Sequence, residues 1–533
     1  MLIQPDTNIL VLKDCPLDNT YEHTLYFDGE TKAEGLSKQS TYFKGLKKYS
    51  FTKQSYQRYA DGVLHIQTQA ENLFDCNYLM FQNGAFGSKW FYAFITKVEY
   101  VNNTSCRVYY EIDVMQTWFF DYELGHCFVE REHSKTDNLF DNLVTENLDL
   151  GDDYVSNSTS SFDMNDLSVA ILRSPIKEDG FNESITGRTV NGVYTPLVVS
   201  AGLPANRPDL VDAIVKPVVN AGYEDNIIAI YQYPSFLGDA ITAEPVIKEK
   251  KITPNLSTID GYTPNNKKLF CYPYNFLLVS NNSGQTAEYK WENWELSERR
   301  GYFDIAGAFV TTPSVLCYPR SYRGIERDYD SGLIYSNFPQ CAWVGDAFKA
   351  WWAQNKTSAM NGIAASVMAA TVSVGATFLN PAFGAMSAGA QFMGTMGATR
   401  GVVGSFENIA STVAKIKDLK NTPPQVHGQT QVDSLNCGIN RVKFSFYNMS
   451  IKAKFAKIID QYFDRYGYAT HLSKIPNRAV RPHWTFTKTV GCTLVGSLPA
   501  DVASSICKIY DNGITFWKKG SEVGNYSLNN KPT

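Results

Sequence analysis

The chain has 533 residues, 44% apolar and 19% charged, enough to bury a sizeable core and incompatible with intrinsic disorder. Lys and Arg number 49 against 53 Asp and Glu, a net charge of -4. Phosphate neutralisation needs a basic excess, so the balance argues against tight nucleic-acid binding and leaves room for transient passage of DNA without specific contacts. At about 100–200 residues per domain, roughly three or four domains fit.

The 32 Tyr and 31 Phe raise the aromatic share to 14%. Such side chains suit pleated, half-buried surfaces and point to a mainly β fold. Ten cysteines occur (Cys15, Cys76, Cys106, Cys127, Cys271, Cys317, Cys341, Cys437, Cys492 and Cys507), and no CxxC pair suggests zinc or redox chemistry. A chain of this size needs no disulfide staples, so free, mostly buried thiols are expected. The N-terminus carries no basic region ahead of its short apolar run Ile9-Leu-Val-Leu12, as expected of a chain made and folded in a cytosol.

Residues 1–150 read as short strands. Val98-Glu-Tyr-Val101, the turn-prone Asn102-Asn103-Thr104-Ser105 and the run Arg107 to Trp118 predict a hairpin. Along the second arm Val108, Tyr110, Ile112 and Val114 share one face, and Arg107, Tyr109, Glu111 and Asp113 the other. His126 and His133, near Glu130 and Glu132, resemble a metal site only superficially and read as solvated strand or loop residues.

Residues 151–342 form a middle, β-rich part. A polar loop is expected at Ser156 to Ser161, and a helix from Pro208 to about Val215, with Pro at its first turn and Pro217 near its end. Strand-like runs return at Ile227-Ile-Ala-Ile-Tyr231 and Leu277-Leu-Val279.

The texture changes over residues 343–425. From Thr357 to Thr399 there are 43 consecutive residues without Asp, Glu, Lys or Arg. Asn380-Pro381 breaks the run and predicts an apolar helical hairpin with arms at about 358–379 and 382–399. Each arm would span roughly 27–33 Å, close to the ~30 Å hydrocarbon layer of a bilayer. Ile363, Val367, Met368, Val372, Phe378, Leu379, Pro381, Phe383, Met386, Phe392 and Met393 are the expected lipid-facing residues. Trp351, Trp352 and Lys356 stand where an interfacial anchor belongs. Gly362, Ser366 and Ala370 recur every fourth residue, the spacing at which helices pack closely in lipid. Because the run is poor in Leu, Ile and Phe, a loop that enters lipid conditionally is favoured over a permanent anchor and over a buried core pair. A helix follows, with Val402, Phe406, Ile409, Val413 and Ile416 in an apolar stripe and Thr422-Pro423-Pro424 at its end. Residues 426–533 return to aromatic-rich, β-like sequence.

No HExxH, GxSxG, GxxxxGK[ST] or GxGxxG motif occurs, so no catalytic residue, metal or cofactor is assigned. Two function classes stay open as alternatives: a cell-wall-degrading (muralytic) enzyme relying on two carboxylates, and a module that stacks exposed Tyr and Trp on surface glycan.

Four N-terminal runs carry a resemblance: Asn77-Tyr-Leu-Met-Phe-Gln-Asn83, Lys89-Trp-Phe-Tyr-Ala-Phe-Ile95, Val98-Glu-Tyr-Val-Asn-Asn103 and Tyr110-Glu-Ile-Asp-Val-Met-Gln-Thr-Trp118. They resemble the N-terminal signature of tail-knob proteins, the distal tail-tube proteins of Picovirinae- and Salasmaviridae-type short-tailed bacteriophages of Gram-positive hosts. Cys271-Tyr-Pro-Tyr-Asn-Phe-Leu-Leu278, Tyr462-Phe-Asp-Arg-Tyr-Gly-Tyr468 and Asp511-Asn-Gly-Ile-Thr-Phe-Trp517 are similar to the same family. The resemblance implies a mainly β, multidomain, tube-forming subunit with a long, partly helical apolar loop insertion. It implies a homo-hexamer at the distal end of the virion tail, bound to an upstream tail or collar protein, with residues 1–150 and 426–533 forming the wall. The apolar loops would plug the exit, then enter host membrane lipid for genome delivery. Glu111 and Asp113 are the candidates for an acidic lumen that lets DNA slide.

Overall fold

The computed structural model describes residues 6–54, 62–84, 87, 89–177, 186–190, 193–238, 246–294, 300–308, 314–336, 338, 340–342 and 441–532. The fold is mostly β and falls into two compact units: one comprises 1–149, 264–269 and 456–533, the other 150–263 and 270–455.

In the first unit a six-stranded antiparallel sheet runs in the order Lys47–Gln54, Thr7–Lys13, Cys76–Gln82, Trp90–Asn102, Ser105–Ile112, Val63–Ile66. Both of its faces are covered. Ile9, Val11, Leu79, Phe81, Val108 and Tyr110 form one core, and Leu12, Tyr78, Met80, Tyr92 and Phe94 pack on the other side with Phe43 of helix α1 (Lys32–Gly45). The predicted hairpin is present, with Val98 opposite Val108. Its second arm stops at Ile112, sooner than expected. Asp113 caps a short helix α2 (Val114–Trp118) by accepting from the Gln116 N–H, and a side chain that satisfies an orphan helix donor ends the strand.

Among the described residues the second unit holds three sheets. One is Thr186–Val190, Val193–Pro204, Leu167–Arg173, Ile227–Pro234, Gln340–Ala342, and another is Tyr154–Asp163, Lys443–Ile451, Asn275–Ser280, Thr286–Tyr289. The third is Val246–Ile252, Gly301–Ala308, Ser314–Tyr322, Ile325–Arg327, with Leu333–Tyr335 also on Ser314–Tyr322. Here two expectations are corrected. Ser156–Ser161 is not a loop but part of the Tyr154–Asp163 strand, whose hydroxyl-rich sequence is held by antiparallel pairing with Lys443–Ile451. Helix α3 (Pro208–Asn220) begins where expected but runs on through Pro217. Val211, Val215 and Val218 pack against Val169, Ile171, Ile227 and Ile230, and burial of that stripe outweighs the hydrogen bond that proline removes.

The C-terminal part is only half β. It contains helices α4 (Ala453–Tyr466) and α5 (Ala500–Asn512) among its strands. α4 buries Ala456, Ile459, Asp460 and Phe463, a helical spacing that aromatic content alone conceals. Gly467, at φ +66, ends it and starts the Tyr468–Lys474 strand; a Cβ there would meet the Glu132 carbonyl oxygen at 2.2 Å, so only glycine fits. Cys15, Cys76, Cys106, Cys127, Cys271, Cys317, Cys492 and Cys507 are free, and of these all but Cys492 and Cys507 are buried.

Candidate functional site: the joined chain ends

The two ends of the chain are built into one sheet. In the first unit the strand order is Thr24–Leu25, Ile514–Trp517, Trp484–Val490, Cys127–Glu132, Tyr468–Lys474. Trp484 lies directly opposite Trp517, with ring centroids 5.1 Å apart and both side chains buried. The Trp517 indole donates to the Glu22 carbonyl at 3.2 Å, and that of Trp484 donates to the Asp464 carbonyl at 3.0 Å. A buried indole needs such a partner, so the pair locks C-terminal strands onto an N-terminal turn.

Beside it, residues 264–269 are held by a buried polar clamp. The α4 residues Asp460 and Asp464, four apart, point the same way. The Asp460 carboxylate accepts from the main-chain N–H of Asn265 at 2.7 Å and of Asn266 at 2.9 Å. It also accepts from the Asn266 amide at 2.8 Å, and that amide donates to Asp464 at 2.8 Å. The Tyr468 hydroxyl bonds Asn266 at 2.8 Å and Asp137 at 2.9 Å, while Asp137 also accepts from the Lys267 N–H at 2.9 Å. Burial pushes the Asp464 carboxyl above its ordinary range, opposed by the Asn265 and Asn266 hydrogen bonds.

A charged triad completes the clamp. Glu146 pairs with both Arg131 and Lys268 and accepts from the Ala469 N–H at 3.0 Å. Arg131 also donates to the Gly467 carbonyl at 2.7 Å. Glu146 and Lys268 are almost wholly enclosed, and charges so placed persist only when paired and hydrogen-bonded. His133 is buried as well. Its Nδ1 accepts from the Phe486 N–H at 2.8 Å and its Nε2 faces the Asp464 carbonyl at 3.1 Å. That geometry fixes the neutral tautomer with the proton on Nε2. Burial, helped by Arg481, pushes the imidazole down to about 3.

The sequence-assigned residues are distributed as follows. Glu111 is exposed, within 3.4 Å of the Asn19 amide. Asp113 is not on an open acidic face: it is buried, caps α2 and accepts the Tyr78 hydroxyl at 2.8 Å. Burial raises its carboxyl to about 6 against the Gln116 N–H and Tyr78 hydrogen bonds. Ile363, Val367, Met368, Val372, Phe378, Leu379, Pro381, Phe383, Met386, Phe392 and Met393 lie outside the described residues, as do Trp351, Trp352 and Lys356. Among the described residues no helix is long and apolar enough to cross a membrane, and no three metal-ligand side chains converge. Glu132 and His133 are not solvated as expected; Glu132 is buried, accepts from the Asn477 N–H at 2.9 Å and pairs with Lys474.

The clamp itself was not assigned from sequence. Its signals were the adjacent amides Asn265-Asn266 and the acidic pair Asp460 and Asp464 at helical spacing, neither of which names the other. Chemically the arrangement binds chain to chain: every polar group described in it is turned towards another part of the same unit.

Comparison with known proteins places this architecture among phage tails. Residues 240–531 match the family model of the C-terminal domain of tail knob protein gp9 of Bacillus phage phi29. Residues 5–123 match that of the caudoviral major tail protein N-terminus. The chain is 25% identical to tail knob protein gp9 of Bacillus phage PZA, and 25% identical to that of Bacillus phage phi29, covering 98% of this chain and 98% of the relative in each case. Its fold is similar to that of the tail knob protein gp12 of bacteriophage C1, with a TM-score of 0.57 at 14% identity, over 98% of this chain and 99% of that one.

Proposed function

The chain belongs to the bacteriophage tail knob protein family, and on that premise we propose that it closes into a hexameric tube at the distal end of the tail, whose 343–425 loops plug the exit and later penetrate the host membrane. It is a structural tail protein and not an enzyme. An upstream tail or collar protein seats the ring, and the genome passes through it without being gripped, a role that suits a net charge of -4 and the exposed Glu111.

The observation that carries the reading is the uncharged run Thr357–Thr399, which is followed and preceded in the chain by the strands Lys443–Ile451 and Gln340–Ala342. A sequence able to span lipid is thus set between two strands of a mostly β protein. Dye release from anionic vesicles, at neutral pH and after mild acidification, tests it. Wild-type protein is expected to release dye, and Val367→Asp or Phe383→Asp to abolish release, because a mid-bilayer carboxylate costs about 2.5–3.5 kcal/mol in each subunit. Release by both variants at the wild-type level rules the membrane role out. Mass photometry of the assembled protein tests the ring separately, and a strictly monomeric particle counts against it.

A further inference from the structure

One face of the four-stranded sheet in the second unit is apolar and the other is not. Phe444, Phe446, Leu277 and Val279 are buried on the first face, and Phe446 packs edge-on against Phe303 at 5.1 Å. Alternation puts the intervening residues on the second face. Where the edge strand Tyr154–Asp163 pairs with Lys443–Ile451, Thr159 stands opposite Tyr447, Ser161 opposite Ser445, and Asp163 opposite Lys443.

That second face is hollowed into an open cleft of about 340 Å³ lined by Thr159, Ser161, Ser445, Tyr447, Lys443 and Arg441. Asn282 also reaches it and fixes its floor: its amide donates to the Ser445 hydroxyl at 3.0 Å and to the Lys443 carbonyl at 2.9 Å. Ser445 is buried, whereas Arg441 is exposed and Lys443 half-exposed. Among the described residues neither cation has a carboxylate partner within ion-pair distance; the nearby Asp163 is bonded by the Ser161 hydroxyl at 3.0 Å.

The geometry points to a binding site for a phosphate ester of a small polyol, glycerol phosphate being the minimal case. Arg441 and Lys443, which have no ion partner among the described residues, supply two cations for a phosphate group. The Thr159 and Ser161 hydroxyls, bonded to Ser156 and Asp163, keep oxygen lone pairs that accept from alcohol groups, Ser445 is held by Asn282 as part of the floor, and the Tyr447 ring offers a face for polyol carbons. The volume lies at the lower end of the roughly 300–1,000 Å³ of small-molecule sites, enough for one such unit. Nucleic acid fits less well, since a single aromatic ring makes no stacking platform for successive bases.

Calorimetric titration of the full chain with sn-glycerol 3-phosphate tests the inference. Saturable binding in the millimolar range is expected, with glycerol alone inert and inorganic phosphate weaker. Arg441→Gln and Lys443→Gln should each weaken binding about tenfold, the loss of one charge-assisted hydrogen bond, and Lys97→Gln on the other unit should not. Competition by phosphatidylglycerol vesicles or by a soluble glycerol-phosphate oligomer supports the site and assigns the source of the ligand. No saturable binding at about 10 mM, or unchanged binding by the Arg441→Gln/Lys443→Gln double variant, overturns it. Equal affinity for inorganic phosphate overturns the polyol part, and stronger competition by a single-stranded oligonucleotide overturns it in favour of a nucleic-acid surface.

Discussion

Asn266 and Asp460 lie 194 residues apart in the chain and are joined by hydrogen bonds of 2.9, 3.1 and 2.8 Å. The Asn266 main-chain N–H and side-chain amide both reach the carboxylate, and the amide also reaches the Asp460 carbonyl. Both side chains are buried. Segment 264–269 thereby becomes part of the unit formed by the two chain ends.

Removing the carboxylate strands two buried donors of Asn266, its N–H and its side-chain amide, and leaves the Asn265 N–H at the site's exposed edge to water. Asp460→Ala is expected to cost about 3 kcal/mol or more, at about 1–3 kcal/mol for each unsatisfied buried donor. Denaturant unfolding followed by tryptophan fluorescence measures it. A loss below about 1 kcal/mol would mean that water replaces the carboxylate and that the clamp is not needed for stability.

Two glycines separate steric clash from backbone strain. Gly467 has φ +66 and the Glu132 carbonyl at 2.2 Å from a built Cβ, whereas Gly284 has φ +96 and open space around it. Gly284→Ala is expected to cost about 1 kcal/mol, the strain alone. Gly467→Ala must also displace the Cys127–Glu132 strand and is expected to cost several-fold more, read as a lower melting temperature.

Sequence reading succeeded where the signal is local. The turn at Asn102–Ser105, the alternation through Val108 and Tyr110 and the start of α3 at Pro208 all depend on near neighbours, and each is present. It failed where the partner is distant. Ser156–Ser161 reads as a loop because its strand partner, Lys443–Ile451, comes nearly three hundred residues later. Asp113 reads as one more outward position because alternation cannot reveal that Gln116 N–H and Tyr78 hydroxyl groups wait there. α4 was hidden by aromatic content that serves helix and strand alike, whereas α5 has one aromatic, Tyr510, and was legible in the helical spacing of Val502, Ile506, Ile509 and Tyr510. The membrane-loop residues from Ile363 to Met393 rest on sequence alone.

Trp517 tests the fusion of the chain ends. It is fully buried between Trp484 and Tyr526, each with its ring centre 5.1 Å away, and its indole holds the Glu22 carbonyl. Trp517→Ala is expected to cost about 3–5 kcal/mol, as for other large aromatic truncations. Hydrogen exchange locates the effect: protection should fall in the Thr24–Leu25 strand, its parallel neighbour, as well as in the C-terminal strands. Loss confined to residues near 517 would show that the ends fold separately.

Two buried groups, Asp113 and His133, give opposite pH slopes. His133 has its pKa pushed from 6.5 to about 3, so below 6.5 the unfolded chain binds the extra proton and stability falls as pH drops towards 3. Protonation at Nδ1 would set an N–H against the Phe486 N–H that Nδ1 now accepts. Asp113 is raised from 3.8 to about 6; here the folded chain holds the extra proton, and stability is highest below 3.8 and falls as pH rises through 6. Over pH 6.5 to 4 the two therefore oppose by similar amounts, on the order of 2–3 kcal/mol each. His133→Gln should leave the Asp113 slope exposed, so that this variant loses less stability than wild type between pH 6.5 and pH 4. Asp113→Asn should steepen the acid loss. Denaturant midpoints at half-unit pH steps measure both. Identical slopes in wild type and His133→Gln would show that the imidazole titrates alike folded and unfolded, contrary to its buried, singly protonated geometry.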